Sequence, residues 1–245
     1  MAIVNRHMNR GLKVVFEPII ITDMKSINHI IKQFLSLGVV FLLAFLINSC
    51  YTGKKAKKFG IEEEAGVPTG LQVNNNAPDF KGKTQKDKTI RLSSLLKQQP
   101  VVLFFYRGYW CPVCNDYLKD YQDSLNMITD KGIAVVAVTP ETSENVSKTR
   151  DKTGAAFTII SDSTGRIMEK YEVKFKVTKG YQRMVKAGLF TDVAASNDQE
   201  EAYLPVPATY LINKNGIIEW KQFDTNYKNR ASVKDILQAI EENNL

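Results

Sequence analysis

The sequence predicts an α/β domain in which a central mixed sheet is flanked by helices. Three observations lead there. Short apolar runs at 101–106, 133–138 and 157–160 are β-branched and aromatic without alternation, which suits strands buried on both faces. Segments with apolar residues spaced three and four apart stand between and after those runs and read as helices. Two further runs, at 210–212 and 217–220, close on Asn213, Lys214, Asn215 and Gly216, a hairpin that makes the sheet mixed.

Taken in order, the first feature is an apolar stretch of fourteen residues at 34–47, preceded by Lys25 and Lys32 and followed by Asn48, Ser49 and Cys50. Fourteen residues fall short of the ~20 that cross a bilayer, and the layout is that of a secretory signal. Residues 1–49 are therefore expected to be a signal peptide with Met24 as its working start. Ile47-Asn48-Ser49-Cys50 resembles a bacterial lipoprotein cleavage box, which implies a lipidated Cys50 and a domain held on a cell-envelope membrane, outside the cytoplasm. The competing reading is an uncleaved signal anchor. Cysteine usage favours lipidation, since of three cysteines Cys111 and Cys114 stand together and a modified Cys50 leaves an even pair. Lys54, Lys55, Lys57 and Lys58 run against the positive-inside bias, and without interleaved aromatics they read as a solvated tether rather than a nucleic-acid footprint. Residues 50–76 are expected to form this lipidated N-terminus and polar tether, and 77–245 the folded domain.

Within the domain a short hairpin is expected over 81–92, ahead of the strand at 101–106. A helix follows at 112–129, with Leu118, Tyr121, Leu125 and Ile128 at spacings of three and four. Next come the strand at 133–138, a polar surface helix at 143–152 and the strand at 157–160. The stretch 174–204 is the least regular, with a helix over part of 181–190 and a loop through 196–201. Ser232 with Asp235 three residues on starts a closing helix that carries Val233, Ile236, Leu237 and Ile240.

Composition narrows the chemistry. Both histidines, His7 and His29, precede residue 50, so the domain has no neutral-pH imidazole base and no histidine metal ligand. Cys111 and Cys114 directly follow a buried strand and open a helix, the context in which a Cys-x-x-Cys pair reads as redox-active. Zinc would need four ligands, and the domain supplies two thiols and otherwise only carboxylates, so no metal is expected. Cys111 at the helix start should gain thiolate character from the helix dipole, with Pro112 at the first helical position giving up an N–H that has no partner. Arg107 reads either as a solvated strand-end charge or as a group that lowers a thiol pKa. Trp110 reads as packing or as a cover over the pair, and Glu141 as a helix-start carboxylate or a proton acceptor for Cys114.

Ala77-Pro78-Asp79-Phe80, the Cys-Pro-Val-Cys junction and the run from Pro207 to Gly216 together resemble the thioredoxin superfamily. Within it, residues 69–243 resemble the alkyl hydroperoxide reductase/thiol-specific antioxidant family of peroxiredoxins and peroxiredoxin-like proteins. The resemblance implies a thioredoxin-like fold with a cis Val206-Pro207 bond beside Cys111. Laid on the family's Pro-x-x-x-Thr-x-x-Cys pattern, the sequence has Arg107 at the proline, Cys111 at the threonine and Cys114 at the peroxide-attacking cysteine. An arginine that peroxiredoxins use to hold peroxide is replaced at or next to Pro207. Cys111, Cys114 and Pro207 are thus the expected catalytic residues, with Arg107, Trp110 and Glu141 in support. The first expectation is a thiol-disulfide oxidoreductase that cycles a Cys111–Cys114 dithiol and disulfide. The alternatives are a thiol-dependent peroxidase acting on hydrogen peroxide or alkyl hydroperoxides, and a non-catalytic binding module. No cofactor beyond the dithiol is implied. The expected partners are a protein disulfide or hydroperoxide, a thiol reductant and, through Cys50, a membrane; no nucleic acid is expected.

Overall fold

The computed structural model describes residues 56–245; the signal segment and Cys50 lie outside them. A seven-stranded sheet runs in the order β2-β1-β5-β4-β3-β8-β9. Its centre is β3 (Val101–Phe105), parallel to β4 (Ala134–Thr139), which is parallel to β5 (Thr158–Ser161). On one side β8 (Ala208–Ile212) lies antiparallel to β3 and pairs with β9 (Ile218–Phe223). On the other, the hairpin of β1 (Lys81–Lys83) and β2 (Thr89–Arg91) adds to β5.

Alternation along β3 divides two cores, because successive side chains of a strand point to opposite faces. Val102, Phe104 and Tyr106 face a core that includes Leu118 and Tyr121 of α2 (Pro112–Asp123), Val146 of α4 (Ser143–Thr153), and Ile236 and Ile240 of α8 (Val233–Glu242). Val101, Leu103 and Phe105 face the opposite core, closed by Leu92 and Leu96 of α1 (Leu92–Leu96) and by Ile167 and Met168 of α5 (Arg166–Lys170). The closing helix starts on a full capping box: Asp235 N–H donates to Ser232 Oγ, and the Ser232 N–H to Asp235.

Three features depart from the sequence expectations. The single helix expected over 112–129 breaks at Ser124, whose φ of −109° and ψ of 10° leave the helical region, and resumes as α3 (Leu125–Thr129). Aspartate followed by serine is a poor helix former, and here Ser124 ends one helix and starts the next. The second departure lies in the expected tether. Ile61 is fully buried and bridges Val177, Glu62 N–H donates to Lys176 O, and Asn76 bridges Ile217, so residues 61–76 are backbone-paired to the domain.

Third, the Val206-Pro207 bond is trans; the described residues contain no cis peptide. The irregular stretch contains β6 (Lys174–Lys176), α6 (Lys179–Leu189), α7 (Val193–Ser196) and β7 (Tyr203–Pro205). β6 and β7 form an antiparallel ladder that continues through the bond from Val206 N–H to Val173 O at 2.8 Å. The chain therefore enters Pro207 extended and runs straight into β8, and an X-Pro bond in that setting keeps its intrinsic trans preference of about 0.5–1 kcal/mol.

Candidate active site

β3 ends at Phe105, and the chain turns through residues 106–110 before α2 begins. Gly108 makes the turn possible. Its φ is +151°, and a Cβ there would stand 2.7 Å from Trp110 Nε1 and 3.1 Å from Glu141 Oε1, distances only glycine avoids. Cys111 N–H then donates to Gly108 O at 3.1 Å, and Cys111 becomes the N-cap of α2 in extended conformation, with Pro112 in the first turn. Cys114 N–H and Asn115 N–H both donate to Cys111 O, which fixes Cys114 in the first helical turn. Neither cysteine is in a disulfide; Cys114 is fully buried and Cys111 4% exposed.

The charge that acts most closely on this pair comes from the far end of the chain. Arg230, in the loop before α8, places Nη2 3.3 Å from Cys114 Sγ. Its Nε donates to Tyr227 O at 2.9 Å, and its guanidinium lies 4.9 Å from the centre of the Tyr117 ring, so the head is held on two sides. Burial works against a Cys114 thiolate. The hydrogen bond from the Cys111 thiol, the Arg230 guanidinium, and the backbone N–H and guanidinium of Arg107 outweigh it and bring Cys114 to about 5. The same thiol–thiol bond, with burial, pushes Cys111 well above its ordinary value. The guanidinium contact thus falls on Cys114, whereas the helix dipole led the sequence to favour Cys111. Cys111 makes no side-chain cap bond to the helix N–H groups.

Arg107 is not a solvated charge. It is fully buried, donating through Nη1 to Tyr181 OH at 2.7 Å and through Nη2 to Phe59 O at 3.3 Å. The rings of Tyr227, Tyr181 and Phe175 surround it at 4.1, 5.5 and 5.7 Å. No carboxylate pairs with it among the described residues, and its Nε has no partner. Its charge favours a thiolate on Cys114.

Glu141 is likewise not a helix-start carboxylate, because Thr142 caps α4 through a bond from Asn145 N–H. Glu141 is buried and accepts from Tyr109 N–H at 2.6 Å, Thr149 Oγ1 at 3.0 Å and Thr139 Oγ1 at 3.3 Å. Burial outweighs these bonds and raises its carboxyl to about 7. It pins the turn that carries Trp110, which is nearly buried with its Nε1 unpaired. Pro207 is buried at the head of β8. The structure therefore brings Arg230 onto Cys114 beside Cys111, buries Arg107 at the end of β3, and has Glu141 bonded to the turn that carries Trp110. Arg230 escaped the sequence analysis. Its one local mark is a position two residues ahead of the Ser232 cap, and 116 residues separate it from its partner.

Known proteins are similar to this chain. Residues 73–221 match the AhpC/TSA family. Peroxiredoxin Bcp of Bacillus subtilis (strain 168) is 23% identical over 175 residues, covering 70% of this chain and 96% of its own. Chloroplastic peroxiredoxin Q of Oryza sativa subsp. japonica is 24% identical over 167 residues, 67% of this chain, which spans 65% of that relative's length. The crystal structure of peroxidoxin BcpB from Mycobacterium tuberculosis superposes with a TM-score of 0.56 at 17% identity, over 70% of this chain and 97% of that one. On the family match, covering well over half of the chain, and on a thioredoxin-like fold that holds a dithiol at a strand–helix junction, the chain belongs to the AhpC/TSA family of peroxiredoxin-like oxidoreductases.

Proposed function

We propose that the protein is a thiol-dependent peroxidase in which Cys114 attacks the hydroperoxide and Cys111 resolves the product. One observation carries this reading: Cys114, at the family's peroxide-attacking position, is the sulfur that a guanidinium approaches, with Arg230 Nη2 3.3 Å away. It favours the peroxidase over simple disulfide exchange, the first expectation from sequence.

In the first step the Cys114 thiolate attacks the terminal peroxide oxygen, the O–O bond breaks, and a sulfenic acid forms on Cys114 while the departing alkoxide or hydroxide takes up a proton. Arg230 is placed to donate to the oxygens as charge shifts from sulfur to the leaving group. In the second step the Cys111 thiol attacks the sulfenic sulfur, a Cys111–Cys114 disulfide forms, and the displaced hydroxide leaves as water with the Cys111 proton. An external dithiol then reduces the disulfide by exchange. The name of the Bacillus subtilis relative, a peroxiredoxin, supports the assignment. A location at the cell envelope, through the apolar segment 34–47 and a lipidated Cys50, belongs to the same proposal and rests on the sequence alone.

The test is to treat the reduced full chain and its two serine variants with hydrogen peroxide and with cumene hydroperoxide, in the presence of a dimedone probe for sulfenic acid. Cys111→Ser should form one stable adduct on Cys114, and Cys114→Ser should form none. An adduct on Cys111 in Cys114→Ser, or rapid attack on a protein disulfide through Cys111 with no peroxide reaction, would restore the exchange reading.

A further inference from the structure

We propose that the exposed face of α6 docks on an anionic phospholipid bilayer and sets the dithiol site at the lipid surface. Three separate features meet on this helix. The first is unused apolar surface. Only a few large apolar side chains are exposed in the described domain, and Met184, Leu189 and Phe190 fall within seven residues of one another. Phe190 is 93% exposed and ends the helix at φ +51°, a backbone conformation uncommon for a bulky residue. It covers nothing in the domain.

The second is charge. Lys179, Arg183 and Lys186 are exposed on α6, which has no acidic residue, and they line a groove of about 360 Å³ with Gln182 and Asp192. One carboxylate answers them: Lys186 pairs with Asp192 at 3.5 Å. Lys57 and Lys58, also exposed, belong to the turn that packs beside the start of α6. Apolar side chains flanking a row of cations fit a phospholipid surface, with rings among the acyl chains and ammonium groups at the phosphates.

The third is where the chain leaves the domain. Thr178 N–H donates to Gly60 O at 2.9 Å, and a Cβ on Gly60 would stand 2.6 Å from the Tyr181 ring, so residues 56–61 lie directly against the first turn of α6. Eight residues separate Ala56 from Ile47, the end of the apolar stretch. They reach at most about 30 Å, so an apolar segment held in a membrane keeps α6 close to that membrane. This part of the argument rests on the envelope location proposed above; the first two parts do not. Tyr181, on the same helix, accepts the 2.7 Å hydrogen bond from Arg107, which places the docking helix one side chain from the group that acts on Cys114.

The experiment is hydrogen exchange on the full chain, alone, with vesicles of phosphatidylglycerol and phosphatidylcholine in equal parts, and with phosphatidylcholine vesicles. Exchange across 179–192 should slow by about tenfold or more on the anionic vesicles, and the effect should vanish in high salt and in the double variant Lys179→Glu, Arg183→Glu. Phe190→Ser should lose most of it. If the chain sediments with both vesicle types while exchange across 179–192 is unchanged, the anchor stands and the docking face is refuted. If it binds anionic vesicles only, and the double variant releases it, the docking face stands and the anchor fails. Protection that rises with protein concentration in the absence of vesicles assigns the face to a second copy of the chain and overturns the proposal.

Discussion

Replacing Arg230 by methionine keeps the length and apolar stem of the side chain and removes the group 3.3 Å from Cys114 Sγ. A hydrogen bond from a guanidinium to a partly buried anion is worth about 1.5–3 kcal/mol, and each 1.36 kcal/mol is one pKa unit, so Cys114 should rise from about 5 to roughly 6–7. Ionisation alone then predicts little at neutral pH: a thiol of pKa about 6.5 is still roughly three-quarters thiolate at pH 7. At pH 5.5 the same shift lowers the thiolate fraction about eightfold. If Arg230 also steadies the charge that leaves sulfur in the transition state, a further loss of about 10–100-fold should persist at pH 7, where ionisation cannot account for it. Thiolate absorbance near 240 nm gives the pKa, and stopped-flow oxidation of the reduced protein by hydrogen peroxide gives the rate. Arg230→Lys should hold most of the pKa and recover only part of the rate, since an ammonium keeps the charge without the forked donors. An unchanged pKa together with an unchanged rate in Arg230→Met would refute the assignment of Arg230 and the electrostatic account of the Cys114 thiolate.

Glu141→Gln should alter the pH profile of oxidation. The rate should rise through about pH 5 as Cys114 ionises and change again through about pH 7 as Glu141 gives up its proton, and the variant should keep the first limb and lose the second. A second limb that survives in Glu141→Gln would exclude this carboxyl as its source. Stability should follow the same two groups. The Cys114 pKa is lower in the fold than in the unfolded chain, so its contribution is fully present above pH 9 and is lost as pH falls toward 5. That of Glu141 is raised, so its contribution is complete below pH 4.5 and is lost as pH rises through about 7. Glu141 is present in both proteins and cancels in the comparison, so between pH 7 and 9 reduced wild type should gain about 2 kcal/mol over Cys114→Ser in denaturant unfolding. No gain across that interval would mean that Cys114 is not ionised in the folded protein.

What the sequence disclosed of the fold depended on how each element is buried. The strands at 101–106, 133–138 and 157–160 were legible because both faces are covered, which leaves an unbroken apolar run to read. β6 and β7 were not, since Lys-Phe-Lys and Tyr-Leu-Pro are three residues long and each is defined by its pairing with the other. The same holds for residues 61–76. Ile61 is one apolar residue in a polar stretch, and what fixes it is a backbone bridge to Val177, more than a hundred positions away. The trans bond at Pro207 follows from that same hidden ladder, because β7 delivers the chain already extended.

The dithiol was legible because its two cysteines, the glycine turn and the helix start are local. Which sulfur carries the charge was not. A helix N-terminus is worth about 0.3–1 kcal/mol to an anion at an exposed site, and reading the sequence alone makes that the deciding effect for Cys111. A guanidinium bonded to a buried sulfur is worth about 1.5–3 kcal/mol, and the structure gives that contact to Cys114. Arg107 adds to the same side. Buried among three rings without a carboxylate among the described residues, it is compensated best when an anion lies nearby, so burial that would otherwise suppress the thiolate also makes it the available countercharge. In the proposed cycle Cys111 is the neutral partner, its pKa raised by the neighbouring Cys114 sulfur and by burial, and its proton is the one that must leave when Cys111 itself attacks. The resolving thiol of the proposed cycle is therefore held back while Cys114 is a thiolate, and it is freed when oxidation of Cys114 removes the charge that held its proton.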